Sequence, residues 1–231
     1  MVAKLYKMDV SPPARAGMIA CELFNVPVEH VDVNLMEGDH LKSDYLKVVI
    51  LYLFQSFLLL LKNPLHTVPV FEDGDVVIHD SHAILMYVAD VYGKQESFYP
   101  QEPKQRALVN QKLFFVASVL FSRLRNITYP LIIEGLKEIP QKNLDAIDEA
   151  YGFLEQFLSQ HKYLAGNNIT IADIAAFTTT AGLFLILKFN AQKYPKTQTW
   201  FKEIEKLPAV QKQNVKGQKE YEQLIKMKLG Y

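Results

Sequence analysis

The chain has 231 residues with 25 basic and 25 acidic side chains, and 49% of its residues are apolar. That composition provides one large or two small domains with a buried core and excludes a disordered chain. The even charge argues against nucleic acid as the main partner, because counterion release needs a net basic face. The single cysteine, Cys21, excludes disulfides within the chain and any CxxC motif, and fits a reducing compartment.

The N-terminus lacks the apolar core of a signal peptide. The longest apolar run, 48–61, reaches about 21 Å as a helix against the roughly 30 Å of a bilayer core. These features predict a soluble, cytoplasmic protein with no membrane contact. Twelve Tyr and 14 Phe exceed what packing needs and leave room for an apolar ligand site.

In chain order, Ala3–Met8 reads as a short strand that ends at Val10-Ser11-Pro12-Pro13. Ala16, Ile19, Ala20, Leu23 and Phe24 then recur at helical spacing, with the prolines in the first turn, where an N–H has no partner anyway. Val28–Asn34 alternates as a strand. Thr67–Phe71 and Val76–His79 flank Asp73-Gly74-Asp75, a hairpin signal, and Ser81–Tyr92 closes the unit as a helix. The order βαβ then ββα is the thioredoxin-like layout. After a turn-rich stretch, 93–103, which reads as a linker, the signal is helical: Lys104–Asn126, Asn143–Gln160, a helix opened by the capping box Thr170–Asp173, and Lys196–Leu207 after Pro195. The predicted architecture is therefore α/β followed by all-α, with domains at 1–92 and 104–231.

Ser11, at a strand-to-helix turn, places its hydroxyl near the positive end of a helix, where an anion is stabilised; an ordinary N-cap serine has the same pattern. Asp80-Ser81 opens a helix whose free N–H groups suit a carboxylate. Val68-Pro69 reads as extended backbone before a proline. Cys21 falls well inside the first helix, as a core residue.

Five segments in this order resemble the cytosolic glutathione transferases, most closely the delta and epsilon classes, with epsilon favoured. They are Ser11-Pro12-Pro13-Ala14-Arg15-Ala16, Gly38-Asp39-His40-Leu41-Lys42, Asn63-Pro64-Leu65-His66-Thr67-Val68-Pro69, Asp80-Ser81-His82-Ala83-Ile84 and Thr170–Asp173. The resemblance implies a dimeric enzyme with glutathione as co-substrate, no bound cofactor or metal, and small hydrophobic electrophiles as second substrates. It implies detoxification-type conjugation, with organic hydroperoxide reduction as a side activity. By resemblance Ser11 is catalytic and hydrogen-bonds the glutathione sulfur; Tyr6, an early tyrosine of the kind other classes use, reads instead as a packed strand residue. Lowering a thiol pKa by about two units takes about 2.7 kcal/mol. A hydrogen bond to a charged group supplies about 1.5–3 kcal/mol and a helix end about 0.3–1 kcal/mol.

The resemblance also places His40, His66, Thr67, Val68, Pro69, Asp80, Ser81, His82 and Arg125 at glutathione, with Pro69 cis and Val68 pairing with the peptide backbone. His40 and His66 read equally well as exposed loop histidines, and Arg125 as a contact for a polar substrate group. Met8, Ala117, Phe121, Leu124 and Thr128 form the expected electrophile site, although an apolar stripe at that spacing is also what a core helix shows. Two rival functions stand beside catalysis: a binder of hydrophobic ligands without turnover, and an interaction module on the same fold.

One segment departs from the family. Relatives pass almost directly from Tyr45-Leu46-Lys47 to Asn63-Pro64, whereas this chain carries about 14 more residues drawn from 48–62. The run reads either as a buried helix peculiar to this chain or as a translated intron: Val codons begin with GT, Lys codons can end in AG, and a Phe/Leu/Ser-rich run encodes a pyrimidine tract.

Overall fold

The computed structural model of the chain describes residues 2–34, 63–94 and 98–230. Strand β1 (Ala3–Lys7) lies inside a four-stranded sheet of order β2-β1-β3-β4, with β2 at Val28–Asp32, β3 at Val70–Asp73 and β4 at Val76–His79. β1 runs parallel to β2, with Ala3 opposite Val28 and Tyr6 opposite Val31, and antiparallel to β3, with Leu5 opposite Phe71. A parallel pair needs a crossover, and helix α1 (Pro12–Leu23) provides it. β3 and β4 need only the tight connection at Gly74, whose φ of +64° suits the residue without a Cβ. Helix α2 (Ser81–Tyr92) follows β4 directly.

The first two expected strands run one and two residues too long, and the third is displaced: it begins at Val70, not Thr67. Pro69 has no N–H to give a ladder. Residues 63–67 form instead a loop around the buried Asn63, whose Nδ2 donates to Thr67 O at 2.8 Å and whose Oδ1 accepts from Leu65 N–H at 3.0 Å.

The chain then becomes helical. Helix α3 is continuous over Pro103–Glu134, with π turns at Val116–Phe121 and Pro130–Glu134, so it outruns the expected 104–126. It is long and apolar enough, by length and composition, to cross a membrane; here it packs along helix α5 (Ile171–Ile186). Helix α4 is Gln141–Gln160, α6 is Pro195–Glu205 and α7 is Pro208–Leu229. Phe98 and Tyr99, ahead of α3, are held in place: Tyr99 is buried beneath the Arg106 guanidinium at 4.1 Å, and Phe98 O accepts from Ile171 N–H at 2.9 Å.

The most buried helix is α5, and its start is fixed by Asp173. That carboxylate is fully buried and accepts from the N–H of Leu164 (3.0 Å), the N–H and hydroxyl of Thr170 (2.9 and 3.0 Å) and Nε1 of Trp200 (2.9 Å). Burial outweighs these donors and raises its pKa. Helix α1 packs against α2, α5 and α7 at once, so the turn that precedes it sits where the sheet meets the helices.

Candidate functional site

The turn from β1 into α1 is closed by Ser11 N–H donating to Met8 O at 2.9 Å. Pro12 and Pro13 occupy the first helical positions and Ser11 is the N-cap, as the sequence predicts. Its Oγ accepts from Ala14 N–H at only 3.4 Å, a long bond that commits little of the oxygen. Among the described residues nothing accepts the hydroxyl hydrogen. Tyr6 is buried in β1 and donates to Glu72 Oε2 at 2.7 Å, a packing position away from the cleft described below.

Across from Ser11 stand the 63–67 loop and the start of α2. The Val68-Pro69 peptide bond is cis, as the resemblance implies, and both residues are buried. His66 is exposed, with φ +56°. Asp80 caps α2 with φ +75°; its Oδ1 accepts from His82 N–H at 2.8 Å and Ala83 N–H at 3.4 Å and lies 3.2 Å from His82 Nδ1. The His82 side chain, followed by these backbone N–H groups, holds the Asp80 carboxyl below the usual carboxylate range against its partial burial. Ser81 is buried at the first position of α2.

These elements form one wall of a cleft of about 620 Å³, and α3 forms the other. Met8, Ser11, His66, Thr67, Val68, Pro69, Asp80, Ser81 and His82 line it together with Ala117, Phe121, Leu124, Arg125 and Thr128. The remaining candidate, His40, lies outside the described residues, as does the 48–62 run. Sequence reasoning missed the floor: Ala175, Thr178 and Thr179 from α5, and Tyr221 and Leu224 from α7. Both threonine hydroxyls donate to Ala175 O, at 3.2 and 3.1 Å, so the floor holds hydroxyls whose lone pairs remain open. The α7 contribution was detectable as a face at 210, 214, 217, 221 and 225, but Asn214 and Gly217 interrupt its apolar pattern.

Arg125 is exposed at the rim, stacked 4.9 Å from the Tyr129 ring centre, with no carboxylate partner among the described residues. Arg123 points elsewhere: it donates to Ala146 O at 2.7 Å and Val119 O at 3.2 Å and pairs with Glu149. Cys21 is buried in α1 and its thiol is pushed up to about 12 by burial. Among the described residues no three His, Cys, Asp or Glu side chains converge as a metal site requires.

Chemically, the cleft joins a hydroxyl donor at a helix N-terminus, the backbone at Val68 before a cis proline, a capped helix start at Asp80-Ser81 and an apolar wall. Comparison with known proteins gives this arrangement its family. Residues 5–97 match the glutathione S-transferase N-terminal domain and residues 84–208 the glutathione S-transferase C-terminal domain. Glutathione S-transferase 1 of Manduca sexta is 36% identical over the whole of both chains. An epsilon-class glutathione S-transferase from the housefly, Musca domestica, superposes with a TM-score of 0.88 at 40% identity, over 98% of each chain. A glutathione transferase homologue from Drosophila mojavensis, solved with bound glutathione, gives 0.87 at 37% identity over 98% of this chain and 97% of its own. The chain belongs to the glutathione S-transferase family, as an enzyme of the delta/epsilon kind.

Proposed function

We propose that this enzyme ionises the glutathione thiol through a hydrogen bond from Ser11 and transfers the thiolate to small hydrophobic electrophiles held against α3. The observation that carries the reading is the Ser11 hydroxyl itself: it opens on the cleft with its hydrogen uncommitted, at the start of α1. The thiol proton leaves to water. The sulfur then forms a bond to the electrophilic carbon, and a leaving group departs with its electron pair or the adduct takes a proton. With an organic hydroperoxide the same thiolate attacks the distal oxygen, releasing an alcohol; a second glutathione then displaces the sulfenic intermediate to give the disulfide and water.

In this reading Val68 pairs with the peptide backbone of glutathione. Asp80 receives its α-amino group, Ser81 and the α2 N-terminus its α-carboxylate, and His66, Thr67, Pro69, His82 and Arg125 complete the cradle. Met8, Ala117, Phe121, Leu124 and Thr128 take the electrophile. The α/β part thus serves glutathione and the helical part the second substrate. Side chains exposed on β4, α2 and α3, among them Val77, Val91, Leu108 and Phe114, support a homodimer that covers them. A detoxifying role in the cytoplasm completes the proposal.

Retention on immobilised glutathione, followed by a conjugation assay with an activated chloroarene, tests it. Retention with turnover supports the reading. Retention without turnover favours a binder, and no retention favours an interaction module.

A further inference from the structure

Arg15 lies in the Ser11 motif, yet it does not line the cleft and is fully buried. A buried guanidinium is costly unless its donors are satisfied, and four of its N–H groups are. Nη1 donates to Asp9 O and to Val10 O, both at 3.0 Å. These are the two central carbonyls of the turn closed by Ser11 N–H on Met8 O. The other bonds cross to α7: Nε donates to Asn214 Oδ1 at 2.8 Å, and Nη2 to Gln218 Oε1 at 2.7 Å.

Helix α7 reaches this position only because residue 217 is glycine. A Cβ there would sit 2.1 Å from Asp9 O and 3.0 Å from Arg15 Cδ. Two contacts across some 200 residues of sequence therefore converge on the four-residue turn that presents Ser11. A guanidinium has a rigid fork of donors, so fixing one edge on α7 fixes where the other edge holds the turn.

We infer that Arg15 is a positioning residue for Ser11, and that Asn214 and Gln218 of the C-terminal helix set its position and thereby the reactivity of the bound thiol. The inference rests on the proposed role of Ser11. Burial lowers the Arg15 pKa to about 10, which leaves it cationic at neutral pH.

Gln218 makes two bonds, which allows a clean test. Its Oε1 serves Arg15, and its Nε2 donates to Ala181 O at 3.0 Å. Gln218→Leu removes both; Gln218→Glu keeps an acceptor for Arg15, now anionic, and puts an oxygen in place of the donor to Ala181 O. Conjugation should be measured with the full chain across pH 6–9, with kcat, glutathione KM and melting temperature for each variant. Gln218→Leu should lower kcat at pH 6.5 about tenfold, leave KM within about twofold and move the kinetic thiol pKa up by about one unit. Gln218→Glu should recover most of kcat and the original pH profile, although it too lacks the Ala181 bond. Equal losses in the two variants, or a rise in KM with kcat unchanged, would overturn the inference. If Gln218→Leu does not fold, Gln218→Ala carries the same comparison. Ser11→Ala run alongside separates the two levels. If it is silent, the Ser11 reading falls and this inference with it; if it is crippled while Gln218→Leu is normal, the α7 clamp alone is refuted.

Discussion

Replacing Ser11 by alanine should separate chemistry from folding, because the structure assigns its oxygen little structural work. As an N-cap it accepts one N–H at 3.4 Å, and Pro12 and Pro13 leave two of the first helical positions with no N–H to satisfy. The substitution should therefore cost at most about 1 kcal/mol of stability, a shift of a few degrees in Tm for a chain of this size. Activity should change far more. A hydrogen bond to a charged acceptor contributes about 1.5–3 kcal/mol, which corresponds to about one to two units in the thiol pKa and a ten- to hundredfold loss of rate well below that pKa. The sign is fixed: the donor favours the thiolate, so its removal raises the pKa. The deficit is then greatest at low pH and closes as the medium reaches the unassisted thiol value of about 8.5. Initial rates at saturating glutathione from pH 6 to 9, with melting curves beside them, measure both effects. An undiminished rate at pH 6.5 would refute the assignment, as would a loss of equal size at every pH.

Three further outcomes follow from the geometry. Asp80→Ala should raise the glutathione KM about tenfold and Ser81→Ala less than threefold, since the first leaves an ammonium unpaired and the second spares the α2 N–H groups; steady-state kinetics would expose a reversed order. Asp173→Ala strands the four donors that meet in its carboxylate and should cost about 3–5 kcal/mol, lowering Tm by roughly 10 °C or more, and calorimetry reads it directly. Asp9 is pushed up by burial, but Lys7 at 2.5 Å and Lys216 at 3.0 Å outweigh that and hold its carboxyl below the usual value. The stability it adds is complete above the ordinary aspartate value of about 3.9 and is lost as pH falls through the lower folded value, so Asp9→Asn should flatten the acid side of the Tm–pH curve.

The parts of this molecule that local chemistry dictates were legible in the sequence. Ser11-Pro12-Pro13 announces a strand ending in a helix start, Asp73-Gly74-Asp75 a hairpin, and Thr170–Asp173 a helix start, and each is found there. What stayed hidden depends on partners far along the chain. Arg15 shows in the sequence as a charge inside a helix; only the fold brings Asn214 and Gln218 to it. Thr178 and Thr179 read as ordinary residues of a buried helix until α5 is seen beneath the cleft. The expected helix 104–126 stops short of α3, which a π turn carries past Pro130 to Gly135, where φ is +75°. Arg125 lines the cleft together with Phe121 and Leu124 of the same helix.

The burial of Cys21 has a consequence for how this chain meets reactive electrophiles. Compounds that react with the glutathione sulfur react with any accessible thiolate, and the rate follows the thiolate fraction. This chain has a single thiol, sealed in α1 with its pKa pushed up to about 12. At neutral pH fewer than about one in ten thousand such groups is ionised, and the residue is only 2% exposed. The protein therefore offers thiol-seeking poisons no sulfur target of its own. A folded sample held with excess alkylating agent should keep its mass and its activity, and Cys21 should take up the label only once the chain is unfolded.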